Sequence, residues 1–248
     1  QLPVGAERGA AVLLLAQQEK EYYQCKMLSY LSDKGGLVFK GGTALQKAHG
    51  LPRFSEDLDF DMSGEEGFDV KERLKQLADW LGQGGERTAI KDCHETGQSV
   101  CARLSIEGIL FRQDPRGRCG LEIDISLRER TERKPDVLEM APRYPDIAPF
   151  LFAVMKPEEI AAEKVRALMG RKKARDLYDL HFLLCKKGVE LDEVLVTGKL
   201  LAEGIGYDRH ELKKRIDGLG RVWKSELGAL VGVLPEFGKV AGEVKKKL

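Results

Sequence analysis

The sequence predicts an α+β fold, in which a sheet domain with an N-terminal helix (1–149) precedes an α-helical domain (150–248). Three observations predict this arrangement. Apolar and polar residues alternate with a period of two between Thr88 and Leu127, which is typical of half-buried strands. Apolar residues recur at helical spacing from Val189 to Leu248. Between them, Arg128–Pro157 is rich in proline and charge and indicates a connector with room for one short strand.

The first part of the chain is predicted to begin with a long helix. Ala6–Leu31 packs an apolar stripe into the core and is ended by Gly35-Gly36. Leu37–Phe39 is a short strand, and a helix begins at Thr43. Val70–Leu81 is amphipathic and is predicted to cover the sheet. The stripe of the first helix consists of Leu14, Leu15, Tyr22, Met27, Leu28 and Leu31.

Three further strands are predicted in the period-two region, over Val100–Ile106, Gly108–Phe111 and Leu121–Leu127. The last of them alternates strictly, so its apolar residues face inward and Glu122 and Asp124 lie on the opposite face. These two acids are either part of a site or ordinary solvent-facing residues, and the spacing leaves both interpretations open.

Composition limits the classes of function. The 41 basic and 40 acidic residues balance, so contact with nucleic acid requires a local patch. Five scattered cysteines indicate reduced thiols, and the set Cys93, His94, Cys101 and Cys119 fits no common zinc spacing. No apolar run is long enough to cross a bilayer. We expect a cytoplasmic protein with no membrane partner.

Two motifs lie in the stretch Phe39–Asp61. Gly41, Gly42 and Thr43 lie between a strand and a helix, where backbone N–H groups and the helix dipole favour a phosphate. A glycine pair before a helix is, however, most often only a turn. In Asp57–Asp61 the carboxylates alternate with apolar residues, so a strand projects three aspartates on one face. Either a divalent cation with oxygen ligands or a solvated acidic edge explains that face.

The run GGTAL followed by RFSEDLDF resembles the nucleotidyltransferase-like toxins of the AbiEii/AbiGii type, which include the MenT enzymes of bacterial toxin–antitoxin systems. These toxins form a branch of the DNA polymerase β-like nucleotidyltransferase superfamily. The resemblance, which covers about Val38–Leu184, implies a polymerase β-like core with a mixed sheet flanked by helices. It also implies that the helical C-terminal domain completes the active site.

The resemblance implies a metal site and a catalytic role for Asp57 and Asp59. These residues and a third carboxylate would hold Mg²⁺ or Mn²⁺, with Asp124 the better match for the third and Glu122 the alternative. Ser55 lies two residues before Asp57, in the nucleotide-binding part of the motif. A phosphate on Ser55 would block the site by adding negative charge, which we state as a hypothesis.

A second constellation lies in two helices predicted to begin at Pro157 and Ala174. Taken alone, it fits a helix hairpin with solvated charges. It also resembles the second half of the same family signature. The resemblance gives Lys164 and Asp179 catalytic roles, with Lys164 also contacting the nucleotide phosphates. Arg175 and Asp176 would orient either these two residues or the nucleotide.

The resemblance implies transfer of a nucleotide from a nucleoside triphosphate to an acceptor hydroxyl, with release of pyrophosphate. The expected acceptor is the 3′ end of tRNA, and the expected protein partner is a cognate antitoxin. The alternatives are transfer to a protein hydroxyl and a non-catalytic nucleic-acid or partner-binding relative. The basic surface predicted for RNA consists of Arg53, Arg166, Arg171, Lys172, Lys173 and Arg175.

Overall fold

The computed structural model describes residues 4–63, 69–127 and 131–248, with side chains described from residue 12 onward. The described residues fall into two compact units. The sheet unit takes those within 1–43, 56–130 and 137–154, and the helical unit takes 44–55, 131–136 and 155–248. The two predicted domains, 1–149 and 150–248, stay a prediction.

The sheet unit is built on a mixed sheet of seven strands, as the resemblance implies. Their order is β3-β4-β5-β2-β1-β7-β6. β2 runs parallel to β5 and β1 parallel to β7, whereas β1–β2, β3–β4 and β4–β5 are antiparallel. The strands are β1 Leu37–Lys40, β2 Leu58–Met62, β3 Arg87–Thr96, β4 Ser99–Glu107, β5 Cys119–Ser126, β6 Asp136–Met140 and β7 Phe150–Val154.

Nine α-helices occur in the described part of the chain. A 3₁₀ turn at Pro115–Gly117 and a π-helical turn at Phe182–Lys186 add to them. The helices are α1 Val4–Ser32, α2 Gly41–His49, α3 Val70–Gln83, α4 Pro157–Gly170, α5 Ala174–His181, α6 Glu193–Leu201, α7 Arg209–Asp217, α8 Gly220–Leu227 and α9 Phe237–Lys247. The helical character predicted for the last sixty residues is therefore confirmed.

The core of the sheet unit forms where the apolar periodicity meets a covering element. Phe39, Phe60 and Phe152 come from three neighbouring strands, and their ring centroids lie 5.4 to 5.9 Å apart. Only part of the α1 stripe joins this unit's core: Leu28 is fully buried, whereas Leu14 and Leu15 are 55% and 49% exposed. The prediction that the whole stripe is core is wrong, because periodicity defines a face of a helix but not what covers it.

Two element predictions are corrected. Gly108–Phe111 is a turn closed by a hydrogen bond from the Phe111 N–H group to the Gly108 carbonyl oxygen. The two strands that pair with β4 are β3 and β5. The connector over 128–157 contains two strands, β6 and β7. Its prolines lie outside these strands, so they limit strand length without preventing sheet formation. At the other end of the chain, α9 continues through Lys247, and Lys245 pairs with Asp217 at 2.6 Å.

Candidate active site

The start of α2 leaves room for a carboxylate. Gly41 has φ +73°, a backbone conformation that favours glycine. A Cβ at this position would lie 2.1 Å from Oδ2 of Asp59, so the Asp59 carboxylate occupies the space that a side chain would need. The helix begins at Gly41, two residues before the predicted start at Thr43, which makes the glycines its first turn.

The segment that leads into β2 is fixed by hydrogen bonds to its backbone. The buried Thr43 hydroxyl donates to the carbonyl oxygen of Asp57 at 2.5 Å. The Gln24 amide donates to the carbonyl oxygen of Glu56 at 2.9 Å. These bonds hold the backbone of Asp57 in place immediately before the strand. The nucleotide-binding role of Thr43 stays a prediction.

Two aspartates lie level with each other on neighbouring parallel strands. Asp59 of β2 and Asp124 of β5 are register partners, so their side chains project from the same face of the sheet. Both are partly exposed, whereas Leu58 and Phe60 on the other face of β2 are fully buried. Asp57, Asp59 and Asp124 are called the strand carboxylates below.

Asp61 of β2 and Glu122 of β5 lie in environments that differ from that of Asp124. Asp61 is fully buried and pairs with Lys40 at 2.5 Å, so the predicted open face of three aspartates ends at Asp59. Glu122 accepts a hydrogen bond from Nε of Arg103 at 2.9 Å, and both side chains are largely exposed. Asp124 accepts a hydrogen bond from the Cys101 thiol at 3.0 Å.

The strand carboxylates suit a hard divalent cation. Carboxylate oxygens are the ligands that Mg²⁺ and Mn²⁺ prefer, and Asp59 and Asp124 present them side by side. Burial and the hydrogen bond to Asp124 raise the pKa of the Cys101 thiol to about 11. The neutral thiol therefore donates to Asp124 instead of adding a soft anionic ligand at neutral pH.

The helical unit contains a second group of charges, in which two buried aspartates are held by three cations. Asp179 receives two parallel hydrogen bonds from Arg53, at 2.6 and 2.7 Å, and lies 2.8 Å from Lys164. Asp176 is bound by Arg171 at 2.9 Å and lies 3.3 Å from Lys164. We call Arg53, Lys164, Arg171, Asp176 and Asp179 the α5 charge network.

Local sequence explains how the α5 charge network forms. Pro157 occupies the first turn of α4, which runs on to place Lys164 on its buried face. The N–H group of Ala174, at the start of α5, donates to the Glu226 carboxylate at 2.7 Å. Asp176 lies in the first turn of α5, where the helix dipole favours a negative charge.

The charge states in the α5 charge network follow from competition between burial and ion pairing. Burial favours a neutral Asp179, but Arg53 and Lys164 outweigh it and hold the pKa of Asp179 below its usual value. The pKa of Asp176 is lowered by Lys164 and Arg171 against the same effect of burial. Burial would lower the pKa of Lys164, yet both aspartates keep it raised. All three groups are therefore charged at neutral pH.

The basic surface predicted for RNA is smaller than expected. Arg53 is only 4% exposed and is committed to Asp179, so it does not belong to a surface. Arg171 pairs with Asp176, and Arg166 lies 3.5 Å from Glu203. Lys172 and Lys173 are exposed. Of the two remaining predicted nucleotide contacts, Arg175 is partly exposed and Ser55 is buried.

The comparison with known families decides the identity of the fold and the class of enzyme. The model of the nucleotidyl transferase AbiEii toxin family, of type IV toxin–antitoxin systems, matches residues 26–236. The chain belongs to this family. It is therefore an AbiEii-family nucleotidyltransferase of a toxin–antitoxin system. No curated protein sequence matches the chain.

Solved structures share the AbiEii-family fold of this chain. MenT4, a nucleotidyltransferase toxin from Mycobacterium tuberculosis, is 20% identical with a TM-score of 0.65, over 96% of this chain and 82% of MenT4. JHP933 from Helicobacter pylori is 23% identical with a TM-score of 0.60, over 94% of this chain and 90% of JHP933. At these identities the likeness establishes the fold only.

Sequence reasoning missed three partners of the predicted residues in this AbiEii-family chain. They are Arg53 beside Asp179, Arg171 beside Asp176, and Cys101 beside Asp124. Arg53 lies inside the quoted motif RFSEDLDF, in the loop between α2 and β2, but its partner Asp179 lies in α5, 126 residues further along the chain. Within 4–63, 69–127 and 131–248, no helix has the length and apolar character needed to cross a membrane.

Proposed function

We propose that this AbiEii-family enzyme transfers a nucleotide from a nucleoside triphosphate to the 3′ end of tRNA, with Mg²⁺ or Mn²⁺ as cofactor. The observation that carries the proposal is the level placement of Asp59 and Asp124 on β2 and β5. Together with Asp57, they supply the oxygen ligands that a cation bound to a triphosphate requires. A divalent cation held by these carboxylates would supply Lewis-acid stabilisation of the charge on the phosphates.

Residues of the sheet unit position the triphosphate. The first N–H groups of α2, at Gly41, Gly42 and Thr43, have no partner within the helix, as in any helix start, and suit the pyrophosphate that leaves. The acceptor oxygen attacks the α-phosphorus, a new P–O bond forms, and the bond to the pyrophosphate oxygen breaks. The proton of the acceptor hydroxyl passes to one of the strand carboxylates.

For the helical unit we propose the role that the family signature implies, which is to neutralise phosphate charge. We assign Lys164 to the triphosphate, because a compact ammonium group suits phosphate oxygens. Asp179 and Asp176 fix the Lys164 ammonium, and Arg53 fixes Asp179 from the other side. Asp179 thus acts through Lys164 as a positioning residue. Arg175 and Ser55 complete the proposed nucleotide contacts.

The acceptor and the partners complete the proposal. Lys172 and Lys173 are exposed cations that fit RNA phosphates, and MenT4, whose fold this chain shares, is a nucleotidyltransferase toxin. The second candidate acceptor is a protein hydroxyl. We propose a cognate antitoxin as protein partner, because the family belongs to type IV toxin–antitoxin systems. We also propose that the protein acts in the cytoplasm.

The decisive experiment offers each labelled nucleoside triphosphate in turn to the purified protein with total tRNA. We expect label in tRNA with Mg²⁺ or Mn²⁺, none after chelation, and none with Asp59→Asn. Label in a protein instead of RNA would show that the acceptor is a protein hydroxyl. No label in either, with all four triphosphates and both cations, would refute nucleotide transfer.

A further inference from the structure

Three ligand-type side chains meet at the end of α5, and none of them has a role in the proposed reaction. His181 is the last residue of α5, Cys185 lies in the π-helical turn Phe182–Lys186, and Glu243 lies on α9. A ring nitrogen, the thiol sulfur and a carboxylate oxygen all lie within 4.8 Å of one another. The three residue types are those that bind Zn²⁺ in proteins.

The geometry of this cluster is set by continuous helical structure. His181 and Cys185 are four residues apart, a spacing that places two side chains on one face of a helix. The Lys187 N–H group donates to the Phe182 carbonyl oxygen at 2.9 Å, across the five-residue interval of a π-helical turn. Such turns occur frequently at functional sites.

Glu243 is presented from a packed helix. Val240, Ala241 and Val244 bury one face of α9, and Nε2 of His181 lies 2.6 Å from Oε2 of Glu243. His181 is 6% exposed, so its ring has little freedom to turn away from Glu243. In a tetrahedral Zn²⁺ site the ligand atoms lie about 3.3–3.8 Å apart. Adjustments of about 1 Å would bring the cluster into that range.

We propose that His181, Cys185 and Glu243 form a binding site for Zn²⁺ or a similar borderline cation, which ties α9 to the end of α5. The mixture of nitrogen, sulfur and oxygen selects such a cation over Mg²⁺, which demands oxygen ligands in octahedral geometry. Three protein ligands leave a fourth position for water. The bound cation would stabilise the end of the helix that carries Asp176 and Asp179.

Charge in the neighbourhood makes the anionic ligands necessary. The positive charges of Lys186 and Lys247 interact electrostatically with the Cys185 thiol. Those of Lys186 and Lys239 interact in the same way with the Glu243 carboxylate. These lysines oppose a divalent cation, so the thiolate and the carboxylate together must offset its charge. Removal of either anionic ligand should weaken binding by at least about 10-fold, the lower limit observed even for residues that only support a metal ligand.

Cobalt absorption tests the site directly, because a thiolate bound to Co²⁺ gives an intense near-ultraviolet band. Metal-free full-length protein is titrated with Co²⁺ in excess Mg²⁺ and then with Zn²⁺. We expect the band at one Co²⁺ per chain, its loss on adding Zn²⁺, and its absence in Cys185→Ser. Glu243→Gln should need at least about 10-fold more Co²⁺ for the same absorbance.

Cys101→Ser is the matched control, because Cys101 is the thiol beside the strand carboxylates. We expect it to keep the Co²⁺ band. Zn²⁺ should also raise the unfolding temperature of the native chain but not of Cys185→Ser. No band, or a band lost in Cys101→Ser and retained in Cys185→Ser, would overturn the proposal and leave His181–Glu243 as a hydrogen bond only. A rise in unfolding temperature equal in both proteins would also contradict it.

Discussion

The strand carboxylates and the α5 charge network both bring aspartates together, but in opposite environments. Asp59 and Asp124 remain partly exposed on the face of a sheet. Asp176 and Asp179 have no exposed surface and are surrounded by cations from the chain itself. The comparison shows one residue type in two environments, to which we assign two different proposed roles. Solvent access suits a carboxylate that binds a ligand, whereas buried ion pairs suit one that positions another group.

The two environments predict different consequences of mutation. Like charges at the strand carboxylates repel each other, so their loss should not destabilise the fold. Loss of one member of a buried ion pair leaves its partner charged and desolvated, which costs about 3–5 kcal/mol. Substitutions in the strand carboxylates should therefore lower activity without lowering stability. Substitutions in the α5 charge network should lower both.

The largest expected effect is on catalysis by the strand carboxylates. Asp57→Asn combined with Asp59→Asn should lower nucleotide transfer by at least about 10³-fold, because metal-assisted charge stabilisation is lost. The unfolding temperature should stay the same or rise. Labelled-nucleotide transfer and thermal unfolding measure the two quantities. A stable double variant with native activity would show that Asp57 and Asp59 are not required for the reaction.

The largest expected effect on stability is in the α5 charge network. Asp179→Ala should lower the free energy of unfolding by about 3–5 kcal/mol, because Arg53 and Lys164 lose a shared buried partner. Denaturation with urea measures this change. The matched control is Asp217→Ala, which breaks an exposed ion pair with Lys245 and should cost less than about 1 kcal/mol. Equal losses in the two variants would contradict the proposed difference.

Acid should remove the stability that the α5 charge network gives to the folded chain. The pKa values of Asp176 and Asp179 are lowered in the folded state, so the unfolded state binds protons first. Stability from these residues is present above the unfolded pKa of about 3.9 and is lost as pH falls through the folded values. Urea denaturation from pH 6 to pH 3 should show this loss, with a shallower slope in Asp179→Asn.

A smaller effect is expected where a glycine adjoins the strand carboxylates. Gly41→Ala should cost about 1–2 kcal/mol of stability from positive φ and should also displace the Asp59 carboxylate. Gly50→Ala is the matched control, because Gly50 has φ +76° with nothing within 4 Å of an added Cβ. Both variants should lose similar stability, but only Gly41→Ala should lose metal affinity and at least about 10-fold in activity. Equal activity in the two would show that Asp59 tolerates the Cβ.

Local patterns predicted most elements and both candidate motifs, since alternation and helical spacing depend on neighbouring residues. They could not reveal that Arg53 is buried against Asp179, because no short-range pattern encodes a pair separated by 126 positions. They also could not show that α1 leaves Leu14 and Leu15 exposed. The register of β2 with β5, which makes Asp59 and Asp124 neighbours, likewise depends on pairing between distant segments.

The smallest expected effect separates the two candidates for the third carboxylate. Glu122→Gln removes the exposed ion pair with Arg103 and should change neither stability nor Mn²⁺ affinity beyond measurement error. Asp124→Asn should weaken Mn²⁺ binding by at least about 10-fold, because Asp124 and not Glu122 is level with Asp59. Calorimetric titration with Mn²⁺ compares them under identical conditions. Because the two acids lie two residues apart on the same strand, the reverse order of affinities would assign the third carboxylate to Glu122.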